Sequence, residues 1–249
     1  VHYCADSPFG PYWSITKYDD IMKMELDHKT YSSAAHLGGI TIRDSPYGKE
    51  MASFIGMDQP THTGHRKAVA PIVAPNNLRN LEATIRERTA AVLDALPRNE
   101  TFDWVDKVSI ELTTMMLATL FDFPWEDRRL LTYWSDVSTT DIDAPNALVR
   151  SDEAKLEVQR EMGRYFADLW QERAKSEPGF DLISMMAHDE ATKDLNQGDL
   201  IATFVLLIVG GNDTTRNAMT GGLMALCDNP DQFAALRADH GLINTLVPE

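Results

Sequence analysis

The stretch from Leu200 to Asp228, LIATFVLLIVGGNDTTRNAMTGGLMALCD, limits what this chain can become more than any other part of it. Apolar residues recur with helical spacing at Leu200, Phe204, Leu207, Ile208, Ala218, Met219, Gly222, Leu223 and Leu226. Asn196 or Asp199 can cap the start, and Asn229-Pro230 marks the end. At ~1.5 Å per residue such a helix spans roughly 40 Å, the width of a domain, so the remaining segments must pack around it. Its middle works against it. In Gly210-Gly211-Asn212-Asp213-Thr214-Thr215 each glycine costs about 0.5–1 kcal/mol against alanine, and the short polar side chains compete for backbone hydrogen bonds. Stability alone does not place them there. A gap of small residues lets something bulky or reactive approach the backbone, and the carboxyl and hydroxyl groups beside it can bind a small polar ligand and move protons. The plainer alternative is a helix kink where another backbone crosses.

The remaining chain predicts a mainly α fold with a small β part at the amino end. Tyr12 to Thr16 alternates and is aromatic and β-branched, as in a short strand, and Tyr18 to Glu25 is helical in pattern. From Ala34 to Met57 the sequence is irregular, a loop long enough to carry function. Helical patterns then follow at 78–96, 104–121, 126–138, 153–174 and 181–187, with breaks too short to be domain linkers. The charges between Glu157 and Lys175 are those of a solvated helix face. One domain is therefore expected. The 43% apolar composition suffices for a sizeable core, and the net charge of −15 argues against general binding to nucleic acid or anionic membranes. With no signal peptide and no apolar run approaching the ~20 residues of a membrane span, the expected compartment is the cytoplasm. Cys4 and Cys227 are too few for a disulfide framework and are expected as small buried hydrophobes.

A second constellation lies in Asp58-Gln59-Pro60-Thr61-His62-Thr63-Gly64-His65-Arg66-Lys67, where Pro60 fits the first turn of a helix and Asp58 or Thr61 can cap it. His62 and Arg66 are four residues apart and share a face that can hold a carboxylate, because an arginine fork pairs with one and imidazole adds a hydrogen bond. His65 competes with His62 for that role.

Gly-Gly-Asn-Asp-Thr-Thr resembles the oxygen-activation signature Ala/Gly-Gly-x-Asp/Glu-Thr-Thr/Ser of the cytochrome P450 monooxygenases, and the segment around His62 and Arg66 is similar to their Asp-Pro-Pro-x-His-x-x-x-Arg, with Gln59 as a mild departure. The resemblance implies the P450 fold, here its amino-terminal portion and long central helix. It also implies haem b bound by His62, Arg66, Gly210 and Gly211, catalytic Asp213 and Thr214, and a substrate lined by Leu206, Val209, Ile40 and Ile42. Thr139 to Pro145 resembles the turn between two mobile helices over the family's substrate pocket. No Phe-x-x-Gly-x-x-x-Cys loop occurs within residues 1–249, so the chain reads as an internal fragment, a single partial P450 domain whose iron-ligating cysteine lies beyond residue 249.

The residues around Asp213 to Gly222 further resemble the soluble bacterial branch that hydroxylates medium-chain alkanes and fatty acids at the terminal carbon. That branch takes electrons from a 2Fe–2S ferredoxin and its NAD(P)H-dependent reductase, with Arg66, Lys67 and Arg79 as a candidate docking patch. A terpene or another small hydrophobic substrate is the alternative within the family. From other classes, an all-helical metal-dependent phosphohydrolase is suggested by His62, His188-Asp189 and Asp213, and a helical scaffold by treating the polar cluster as a kink.

Overall fold

A computed structural model of the chain describes residues 1–7, 9–40 and 52–247. It opens with a hairpin in which β1 (His2–Cys4) pairs antiparallel with β2 (Tyr12–Ser14), Tyr3 opposite Trp13. The sequence pattern shows β2 but not its partner, because three residues are too few to display alternation. Helices follow: α1 (Tyr18–Leu26), α2 (Thr61–Val69), α3 (Pro75–Asp94), α4 (Glu111–Phe121), α5 (Arg129–Thr139), α6 (Asp152–Lys175), α7 (Leu182–His188), α8 (Gln197–Asp228) and α9 (Pro230–Ala238). The expected helix over 104–121 is instead a π-helical segment, Val105–Ile110, running into α4.

The long helices begin where their capping chemistry allows. Ser151 accepts a hydrogen bond from the Ala154 amide at the start of α6, whose first turn carries Asp152 and Glu153 and whose last carries Arg173 and Lys175, charges that suit the helix dipole at both ends. Asn196, rather than Asp199, caps α8 by accepting from the Asp199 amide at 3.0 Å. Neither proposed cap serves α2. Thr61 is already helical, and the Asp58 carboxylate is taken up by the Ser32 hydroxyl and the Ser33 amide across the fold, two hydrogen bonds that hold its pKa below the usual carboxylate range.

The first half of α8 is the axis of the core. Leu200, Phe204 and Ile208 are buried, and Phe166 of α6 stacks on Phe204 with ring centroids 4.2 Å apart. Phe121 of α4 meets both rings, and Trp134 of α5 closes the cluster against Phe166 and Phe123. Gly163 lets α6 approach this closely, since a Cβ there would run into Ile201. The expected solvated face of α6 carries Glu157 paired with Arg160 and Arg164.

Beyond the middle of α8 the described residues pack little against it. Met224 is exposed, and so is Cys227, against the expectation of burial; Cys4 is half-buried. Cover there is confined to one face, where Ser109 Oγ lies 3.0 Å from Thr220 Oγ1 and the periodic residues Met219, Leu223 and Leu226 are half-buried. No helix among the described residues is long and apolar enough to cross a membrane.

Candidate functional site

Helix α8 is unbroken through Gly210 to Thr215, so the polar sextet is accommodated within regular helix. The Thr214 hydroxyl donates to the Gly210 carbonyl one turn back at 2.6 Å, which settles in place the competition these side chains pose to helical bonding. The two glycines serve different ends. A Cβ on Gly211 would lie 2.7 Å from Leu117 Cδ2 of α4, so Gly211 permits a close helix crossing. A Cβ on Gly210 would meet nothing within 4 Å, so its missing side chain keeps open space open.

That space is a cavity of about 350 Å³ between α2, the turn after it, α4 and α8, where Arg66, Phe54, Ile72, Leu206, Gly210 and Gly211 converge. Arg66 brings the charge to this apolar lining, and its guanidinium has no hydrogen-bonding or ionic partner among the described residues. His62, one turn earlier on α2, is half-buried with its ring centroid 6.4 Å from that of Phe54, and its imidazole is likewise without a polar partner among them. His65 faces the other way. It is buried against the segment joining α7 and α8, beside Ala191 and Asp199, and desolvation lowers its pKa.

The structure therefore brings Arg66, Leu206, Gly210 and Gly211 to one cavity and sets His62 at its edge. Val209, Asp213 and Thr214 do not line it; Thr214 lies exposed one turn beyond Gly210. Leu207, which the sequence assigned only to helical packing, does line it. Ile40 is exposed and away from the lining, so its expected substrate contact finds no counterpart here, and Ile42 lies outside the described residues.

Two side chains, Asn212 within the motif and Arg216 just after it, make contacts that the sequence did not assign. Asn212 is fully buried, its side-chain carbonyl accepting from the Thr113 hydroxyl at 2.8 Å while its amide nitrogen has no partner. Arg216 forms an ion pair with Asp213 and a second with Asp136 of α5 at 2.8 Å. The signal for Arg216 was present, since Asp213 and Arg216 stand three apart on one helix. Nothing local marked Asn212 or Asp136. The phosphohydrolase alternative finds no support: His188 is engaged by the Ser184 and Ser176 carbonyls, and no His, Cys, Asp or Glu cluster among the described residues could hold a metal ion.

The fold has close counterparts among solved structures. A solved structure described as cytochrome P450-153 from Novosphingobium aromaticivorans matches with a TM-score of 0.88 at 45% identity, covering 99% of this chain and 62% of its own. The Mycobacterium tuberculosis protein named cytochrome P450 126 is 30% identical over 248 residues, which are 96% of this chain. The chain belongs to the cytochrome P450 family. Linalool 8-monooxygenase of Pseudomonas putida, 28% identical, aligns over 100% of the chain. The chain spans 58% of the P450 126 sequence and 63% of the linalool enzyme. No family model matches it.

Haem b is the cofactor of the P450 family, and the residues present fit it. A flat apolar macrocycle with anionic edges suits an apolar cavity that carries an unpaired arginine on one wall and a glycine notch in the long helix on another.

Proposed function

We propose that this chain is part of a haem-dependent monooxygenase that inserts one oxygen atom of O2 into a C–H bond. The observation that carries the reading is the convergence of the unpaired Arg66 with Gly210 and Gly211 on one apolar cavity. In this reading the Arg66 fork and the His62 imidazole hold a haem propionate, while Gly210 leaves room for the ring and for dioxygen beside α8. Neither Cys4, in the amino-terminal hairpin, nor Cys227, near the end of α8, is among the cavity residues, so in this reading neither is placed to be the iron ligand.

Bound haem supplies the activation of dioxygen and the oxidation of the C–H bond. The chain's own residues position groups and move protons. Thr214 carries a hydroxyl one turn past Gly210, spends its proton on the Gly210 carbonyl, and keeps its oxygen lone pairs free to accept. Asp213 is the titratable group next to it and passes protons inward from solvent. Leu206 and Leu207 place apolar surface on the cavity wall formed by α8, which favours a hydrocarbon substrate and excludes water from the cavity.

The substrate in this reading is a medium-chain n-alkane or fatty acid oxidised at its terminal carbon in the cytoplasm, with electrons from a 2Fe–2S ferredoxin and its NAD(P)H-dependent reductase. The sequence around Asp213 to Gly222 and the likeness to cytochrome P450-153 support it. A terpene is the second reading, favoured by the linalool-oxidising relative. Incubating the full-length enzyme and its redox partners with octane, a fatty acid, camphor and a terpene separates them. Primary alcohols from the linear substrates are expected, and turnover confined to the terpene or camphor would defeat the terminal-hydroxylase reading.

Two variants test the roles within α8. Thr214→Ala in the full-length enzyme is expected to consume NAD(P)H and oxygen while releasing hydrogen peroxide in place of product. Asp213→Asn is expected to slow overall turnover by ~10²-fold or more, the usual worth of a positioned acid–base group. Normal product yield per NAD(P)H in the first, together with a normal rate in the second, would reduce the motif to a packing feature.

A further inference from the structure

The ion pairs of Arg216 lie outside every role assigned so far. A single nitrogen, Nη2, donates to Asp213 Oδ1 on its own helix and forms an ion pair with Asp136 Oδ1 of α5 at 2.8 Å. All three side chains are largely withdrawn from solvent, Arg216 at 14% exposure, Asp213 at 21% and Asp136 at 29%. Screening is weak in such a place, and one cation shared by two carboxylates is a stiff link.

Two chemical facts narrow what the link can do. A guanidinium does not give up its proton at physiological pH, so Arg216 cannot itself relay protons. Asp213, for its part, is held through Oδ1 alone; Oδ2 makes no hydrogen bond among the described residues and is left to take up and hand on a proton. The anchor on one oxygen decides where the other points.

The far end of the link is α5, whose buried face includes Leu131, Trp134 and Val137 and whose carboxyl end enters the connection to α6. That connection is clasped by Lys155, which donates to the Thr140 carbonyl at 3.2 Å, and by Arg150, which donates to the carbonyls of Ala144 and Pro145. The packing of α5 on α8 thus meets the Asp213 carboxylate at one shared nitrogen. A shift of α5 along α8 would lengthen one of the two bonds at the expense of the other.

We propose that Arg216 is a positioning residue for Asp213, tying its carboxylate to Asp136 so that the seating of α5 on α8 sets how efficiently Asp213 delivers protons. The proposal rests on the proton-delivery reading of Asp213 given above, and its test separates the two. In the full-length, haem-loaded enzyme, Arg216→Ala is expected to lower turnover roughly tenfold, the size of one charge-assisted hydrogen bond, and to raise the solvent deuterium isotope effect on turnover. Arg216→Lys keeps a cation with several N–H groups and should recover part of the rate. Asp136→Asn keeps an acceptor while removing charge, and should move both readouts in the same direction by less.

A second readout needs no turnover. In thermal unfolding of the haem-free protein, the loss of Tm in the Arg216→Ala and Asp136→Asn double variant should be smaller than the sum of the single losses, showing that the two side chains are coupled. A lowered Tm in Arg216→Ala with an unchanged rate and isotope effect, while Asp213→Asn is slow, would make Arg216 a structural staple and overturn the proposal alone. A normal rate in Asp213→Asn would overturn the reading of Asp213 and the proposal with it.

Discussion

The two sides of α8 at its midpoint are built from the same few residues and obey different rules. Toward α4 and α6, Phe204 and Ile208 are wholly enclosed, Gly211 is pressed by Leu117, and Asn212 is sealed against Thr113. Toward the cavity, Leu206 is only half-buried and Gly210 borders open space. Adjacent glycines therefore carry opposite meanings: one allows packing, the other forbids it. The packed side is settled by the volume of its neighbours. The open side carries small and polar groups that stabilise little within this chain, as expected of a surface that receives a ligand.

If that contrast is real, substitutions on the two sides must differ in size and in sign. Phe204→Ala removes a ring stacked at 4.2 Å in the centre of the core and should cost about 3–5 kcal/mol, whereas Leu206→Ala, half-buried at the cavity, should cost about 1 kcal/mol. Denaturant unfolding of the haem-free protein measures both, and equal losses would break the comparison. The glycine pair sharpens it. Gly211→Ala forces Leu117, itself 2% exposed, to move; overpacking of about 1–3 kcal/mol outweighs the helical gain of roughly 0.5–1 kcal/mol, so stability should fall. Gly210→Ala meets no obstacle and should gain that 0.5–1 kcal/mol or so in the haem-free protein while weakening haem retention in the full-length enzyme. Destabilisation by both would mean that the cavity side is packed too.

The smallest effect extends the comparison to α2, where His62 sits by the cavity and His65 in the packed interior. Burial lowers the pKa of His65, so as pH falls the unfolded chain binds the proton first. Stability should accordingly be lost from about pH 6.5 downward and level off below the folded pKa. The pH-dependent part of the difference between wild type and His65→Asn, expected to stay under about 1 kcal/mol, should be confined to that window, the difference being constant above it; a difference independent of pH throughout would remove the titration from the account.

Local patterns carried much of the architecture. The 3.6-residue periodicity marks α6, and together with the Asn196 cap and the Asn229-Pro230 break it marks α8, within a few residues of where they lie. The spacing of His62 and Arg66 placed both on α2, and Arg66 reaches the cavity. Other expectations failed where a long-range partner decided the outcome. Asp58 was an available cap until Ser32 and Ser33 took its carboxylate, and Cys227, expected among the buried hydrophobes, lies exposed.

What the sequence determined by itself is the long helix and the anomaly inside it, because hydrogen bonding between near neighbours and the absence of side chains at two consecutive positions are local properties. It also determined, through the run from Gly210 to Thr215, which chemistry that anomaly resembles. Only the tertiary structure decided which of the two cavity glycines is also pressed by α4, which of two histidines turns inward, and that Arg216 pairs with both Asp213 and Asp136. Those outcomes depend on contacts between residues far apart in the chain, as with Thr113 and Asn212 or Asp136 and Arg216, and such pairs exist only once the helices have packed.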